Sequence, residues 1–221
     1  MKGECYFCEK EAVSKEHVPP KCLFPAQKDT CGQDFRKNLI KVPSCDEHNA
    51  EKSGDDEYLM MILVSYFENN DTAKNQIKTK LARVFLKNPK KMDYFKNSTV
   101  MQTLNETLLK VDLDTDRFIQ SLELIAHAIH LHRYKVKVKN PYKFISAPIF
   151  EDEKEDLEAI EVNDARKSIM NLTNEAFEAI PKAGENQDIF WYQLSPEFEG
   201  KYLLRLCFYG AFPVILYSTQ A

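Results

Sequence analysis

The most apolar stretch of the chain, Leu59, Met60, Met61, Ile62, Leu63 and Val64 with Phe67 beyond them, is hydrophobic on every side of a helix, which predicts a core helix from Asp55. Its first turn holds Asp55, Asp56 and Glu57, favourable at the positive end of the helix dipole. Just upstream, Ser44-Cys45-Asp46-Glu47 has Ser and Glu three apart, the spacing of a capping box. It predicts a short helix that carries Cys45, His48, Asn49 and Lys52 and ends near Gly54. Before about residue 43 the pattern reads as loops and short strands. Helices are expected over 72–87, 89–96 behind Pro89, 98–110 capped by Ser98, and 116–134, the last with Phe118, Leu122, Ile125 and Ile129 on one face. Another amphipathic helix runs over 164–180 and stops before Pro181. The β-rich runs Ile189 to Leu194, Tyr202 to Tyr209 and Phe212 to Tyr217 predict a terminal antiparallel sheet, its last two strands joined through Gly210. The class is α+β, with an N-terminal unit over 1–57, a helical region over 58–140 and an α+β region over 141–221.

Charge sharpens this division. The net charge of -4 hides a middle (71–143) with 15 basic and 7 acidic residues and a C-terminal part (151–221) with 6 basic and 14 acidic. The basic stretch Lys74, Lys78, Lys80, Arg83, Lys87, Lys90, Lys91 and Lys96 reads equally as a solvated helix face or a phosphate-binding surface, and Arg133, Lys135, Lys137 and Lys139 as a second phosphate contact. The acidic stretch Glu151 to Glu161 reads as a linker or a shield for these cations. With 43% hydrophobic residues, 6 Gly and 10 Pro the chain is neither collagen-like nor disordered, and its longest apolar run is too short to span a bilayer. Nothing marks secretion, so a cytoplasmic location is expected.

Chemistry concentrates near the N-terminus. Cys5-x2-Cys8 and Cys45-x2-His48 are two donor pairs, each spaced so that one turn presents two ligands to a tetrahedral ion, and thiolate and imidazole donors suit Zn²⁺. Such an ion would clamp the N-terminus to the helix that follows. Cys22 and Cys31 lack a partner two residues away and read as packing residues. His127, His130 and His132 read as core-edge or surface histidines, since no carboxylate or Cys follows them at ligand spacing.

Between the donor pairs lie Ser14-Lys15-Glu16-His17-Val18-Pro19-Pro20 and Lys37-Asn38-Leu39-Ile40-Lys41-Val42-Pro43, and Asn49 directly follows the last donor. This order over residues 1 to about 57 resembles the HNH endonucleases, the ββα-metal nucleases with paired zinc knuckles. The resemblance implies a ββα-metal unit in which Glu16 and Asn49 hold a catalytic divalent ion, usually Mg²⁺, His17 is the general base, and Asn38 fixes the loop that aims His17. The chain departs from the family in having Glu16 where Asp is commoner and His48 where a fourth Cys is common. The chemistry agrees: an imidazole with pKa near 6.5 takes a proton from water at neutral pH, and a hard cation stabilises the charge on the scissile phosphate. Lys52, one turn beyond Asn49, is a candidate phosphate contact or a solvated lysine. The expected function is a metal-dependent endonuclease acting on nucleic acid, DNA for preference, with the C-terminal region sensing or binding a protein partner, as an antiphage effector would. The alternative is a zinc-stabilised, non-catalytic nucleic-acid or protein-binding module.

Overall fold

A computed structural model describes residues 3–95, 99–102, 107–110, 113–138, 140–148 and 157–219. The chain opens on a knuckle in which the Cys5 amide donates to the Lys10 carbonyl at 2.9 Å. Strands β1 (Ser14–Val18) and β2 (Ile40–Ser44) then pair antiparallel, with Glu16 opposite Val42 and His17 opposite Lys41. Side chains alternate across a strand, so Glu16 and Val18 turn inward and are buried while Lys15 and His17 face the other side. The Tyr6 amide donates to the Pro43 carbonyl at 2.8 Å and the Val13 amide to the Ser44 carbonyl at 3.0 Å, which lays the knuckle along β2.

The helix expected behind Ser44 is a single wide turn, Glu47–Glu51, in which the Glu51 amide reaches back five residues to the Asp46 carbonyl at 3.0 Å. The capping box does not form, because Ser44 is the end of β2 and its Oγ donates to the Cys45 carbonyl, while Glu47 pairs with Lys10. Helix α1 (Ser53–Val64) follows without a break at Gly54, and Tyr58 to Val64 are all buried. Its three acids each meet a cation: Asp55 with Arg117 at 2.6 Å, Asp56 with Lys52 at 2.5 Å and Glu57 with Lys91 at 2.5 Å.

Helices α2 (Asp71–Gln76) and α3 (Ala82–Lys87) are joined by a second wide turn, Ile77–Leu81, and a tight helical segment spans Pro89–Phe95. The helix expected over 98–110 is instead a hairpin of β3 (Thr99–Gln102) and β4 (Thr107–Lys110). Both strands are short and mix β-branched residues (Thr99, Val100, Thr107) with good helix formers (Met101, Leu108, Leu109), so the Ser98 cap signal tipped the local reading toward helix. Helix α4 (Thr115–Tyr134) fits its predicted span, and its N-cap Asp114 accepts from the Arg117 amide at 3.2 Å. Strand β5 (Lys143–Ser146), not foreseen, precedes α5 (Leu157–Phe177). The acidic stretch lies mostly outside the described residues, as do Lys96 and Lys139. Strands β6 (Phe190–Leu194), β7 (Lys201–Phe208) and β8 (Phe212–Thr219) complete an antiparallel sheet of order β5-β8-β7-β6.

One buried cluster runs from Cys5, Val18 and Phe24 through α1 and α4 to Leu204, Phe208 and Leu216 of the sheet. Tyr209 pins the layers together: its hydroxyl donates to the Leu23 carbonyl at 2.6 Å and accepts from Gln76 Nε2 at 2.9 Å. The loop between β1 and β2 is held to α3 by the two-point Arg83–Asp29 pair at 2.9 and 2.6 Å and to the second wide turn by Lys80 Nζ on the Cys22 carbonyl at 2.8 Å. The core helix and the sheet thus support the hairpin from behind. No described helix is long and apolar enough to cross a membrane.

Candidate functional site

The knuckle and the wide turn bring four donors together. Cys8 and Cys45 Sγ are 3.8 Å apart, and His48 Nδ1 lies 3.8, 3.6 and 3.2 Å from the Sγ atoms of Cys5, Cys8 and Cys45. Ligands about 2.3 Å from a tetrahedral ion stand roughly 3.8 Å from one another, so the donor set fits a metal ion such as zinc. The wide turn is what makes this possible, since it follows Cys45 closely enough to point His48 back at the knuckle. Burial works against a Cys5 thiolate, but backbone N–H groups of Cys8, Phe7 and Cys45 outweigh it and lower the pKa. Burial also lowers the pKa of His48, keeping its imidazole neutral and able to donate a lone pair. Phe7, between the two Cys ligands, lays its ring 4.8 Å from that of His48 and 4.8 Å from that of His127 on α4, tying the cluster to the helical layer.

Below the hairpin, Glu16 (6% exposed) and Lys52 (9% exposed) form a buried ion pair, Lys52 Nζ standing 3.0 Å from Glu16 Oε1 and 2.5 Å from Asp56 Oδ1. Two carboxylates share one ammonium in a dry setting, so burial pushes Glu16 up to about 7 despite the neighbouring Lys52, and Asp56 is raised for the same reason. Burial disfavours the Lys52 ammonium, yet Asp56 and Glu16 together raise its pKa and hold it charged. Asn49 sits beside the hairpin too, its Nδ2 donating to Ser14 Oγ at 2.7 Å and to the Lys15 carbonyl at 3.4 Å. The cation facing Glu16 is therefore Lys52, and the crevice there, roofed by Ser121, Leu124, Ile125 and Ala128 of α4, has about 10 Å³ of free space. That is room for one water and none for a substrate, so the set does not fit an open divalent centre as it stands. Lys52, expected as a phosphate contact or a solvated lysine, is in this structure neither: it is buried and its ammonium is committed to two carboxylates.

His17, next along β1, borders this crevice but alternates to the other side of the strand. His17 is partly exposed, and its pKa is lowered by burial and then by Lys41, Lys21 and Arg36. The register explains Lys41, directly opposite His17 and on the same face. Asn38 is exposed at φ 53°, a left-handed conformation that Asn tolerates, and it turns the chain into β2. It also lines a cleft of about 400 Å³ with Lys41, Phe24, His132, Asn186 and Tyr192. Sequence reasoning missed Asp56, although its place four residues after Lys52 puts it on the same helix face, and it missed the cations around His17, which only the strand register reveals. His130 is buried with its Nδ1 2.9 Å from the Tyr142 hydroxyl, while His127 Nε2, also buried, meets no hydrogen-bond partner among the described residues. In comparisons with known proteins, no family model, no curated protein and no solved structure matches this chain.

Proposed function

We propose that the chain is an endonuclease of the HNH type, a phosphodiester hydrolase acting on nucleic acid, with DNA as the expected substrate and His17 as its general base. The observation that carries the reading is the placement of His17: a neutral, partly exposed imidazole on a hairpin anchored at one end by a four-donor metal cluster, with three cations around it. A neutral imidazole takes a proton from water, the resulting hydroxide attacks phosphorus, the bond to the leaving oxygen breaks, and that oxygen is protonated by solvent. Cations beside the base stabilise the charge that gathers on the phosphate oxygens. The reading routes no step through a divalent ion, because a metal at Glu16 must first displace the Lys52 ammonium.

The test is incubation of the zinc-loaded protein with plasmid DNA and with RNA, with and without Mg²⁺, alongside His17→Ala. Cleavage should fall by about 10²-fold or more in the variant at unchanged zinc content. Retention of cleavage within a few-fold of wild type makes the assignment of His17 wrong. A second reading, a metal-stabilised nucleic-acid-binding module without hydrolysis, is favoured by the closed crevice at Glu16. It predicts binding and no cleavage under any metal.

A further inference from the structure

The sequence directs attention to the basic middle segment as the surface for phosphates, and the structure weakens that choice. Lys91 is paired with Glu57, Arg83 with Asp29, and Lys80 is spent on the Cys22 carbonyl. On the outer face of the hairpin the situation is reversed. Lys41 stands directly across from His17, Lys21 begins the turn that follows β1, and Arg36 is a third cation whose charge acts on His17, its guanidinium held in place by two donations to the Phe24 carbonyl at 3.0 and 2.9 Å. Lys21 and Lys41 are exposed, and neither forms a salt bridge with any described residue. Cations gathered beside a histidine repel one another at a cost in folding energy, and an anion bound there relieves it.

The cleft shares Lys41 with this group of cations. Its lining combines the apolar Phe24, Phe190 and Tyr192 with the polar Asn38, His132 and Asn186 and one acid, Glu185. About 400 Å³ lined by aromatic rings and a few polar groups falls within the range of small-molecule sites. It suits a flat, apolar-faced ring with hydrogen-bonding edges, which a nucleobase is. A base inside a duplex cannot enter such a cleft without leaving its stack.

We propose that Lys21, Lys41 and Arg36 grip the phosphate presented to His17 and that the cleft receives the adjoining base, so that the ligand of this surface is an unpaired nucleic-acid strand. The inference rests on the reading above for the class of ligand, but not for cleavage.

The test is fluorescence anisotropy on the zinc-loaded full chain without added Mg²⁺, using a labelled single-stranded DNA oligonucleotide and the same sequence as a blunt duplex over a range of salt. The single strand should bind at least about tenfold more tightly than the duplex, with the duplex penalty set by unstacking. The double variant Lys21→Gln/Lys41→Gln should lose at least about tenfold in single-strand affinity and about 1.4 from the slope of log affinity against log salt, two contacts at about 0.7 each. Lys87→Gln/Lys90→Gln should stay within about twofold of wild type, and His132→Trp, which narrows the cleft, should erase most of the preference for the single strand. Duplex binding as tight as single-strand binding, or a Lys21→Gln/Lys41→Gln variant indistinguishable from wild type, overturns the proposal. A chain that binds as described yet never cuts overturns the nuclease reading alone. A chain that cuts while Lys21→Gln/Lys41→Gln binds undiminished overturns this inference alone.

Discussion

Lys52 decides the charge balance under the hairpin. Removing one partner of a buried ion pair leaves the others unscreened in a dry site, so Lys52→Met should destabilise the protein by about 3 kcal/mol or more, read as a shift of the urea midpoint. Without the ammonium, Glu16 and Asp56 are raised still further, and a carboxyl raised above its unfolded value adds stability at low pH that is lost as pH rises. The deficit of the variant should therefore be smaller at pH 5 than at pH 8, and an equal deficit at both would show that it does not arise from the unscreened carboxylates. His127 works in the opposite sense. Burial and the neighbouring His130 lower it to about 4, below its unfolded value near 6.5, so its contribution is complete above that value and drains away as pH falls toward 4. Between pH 7 and pH 5 the wild type should lose about 2 kcal/mol more stability than His127→Phe, measured by denaturant unfolding.

At the scale of elements, the metal cluster and the glycine before β6 carry separate expectations. The wide turn and the knuckle are joined to each other by the four donors, and Phe7 passes that constraint on to α4 through His127. Elemental analysis should give about one zinc per chain, and Cys45→Ala should lose it together with several kcal/mol of stability, on the order of what small structural sites supply. A variant as stable as wild type would mean that the cluster is not a metal site. Gly184 has φ +131°, and a Cβ there would fall 2.7 Å from the Phe190 carbonyl oxygen, within the backbone pairing of Ala183 with Tyr192. Gly184→Ala should thus cost about 2 kcal/mol or more, since neither the conformation nor the close approach admits a side chain. Full stability in that variant would show that the segment re-forms at no cost.

For the molecule as a whole, the continuous core matters more than the three charge-defined stretches. Leu23, Phe24 and Val18 of the first stretch pack in the same cluster as α1, α4 and the terminal sheet, and the Tyr209 hydroxyl hydrogen-bonds to both Leu23 and Gln76 of α2. Calorimetry of the zinc-loaded chain should show one cooperative transition, and a fragment over residues 1–57 should fail to fold even with zinc, because it lacks the partners of its apolar face. Two well-separated transitions would count against this expectation.

The residue types alone determined the local and chemically exclusive features. The Cys5, Cys8, Cys45 and His48 set followed from ligand spacing, the core role of α1 from its all-round apolar body and the span of α4 from apolar periodicity. The terminal strands were legible because two runs rich in aromatic, aliphatic and β-branched residues flank Gly210. Positions 99–110 were not: a Ser cap signal and mixed propensities fit helix and hairpin equally, and pairing between β3 and β4 settled it. The site divides in the same way. Glu16, His17 and Asn49 stood out in the sequence, but only the strand register put Glu16 and His17 on opposite sides of β1, one sealed against Lys52 and the other turned toward Lys41. Which cations surround a histidine depends on residues far apart in the chain, and that proximity is created by tertiary packing, not by spacing along the chain.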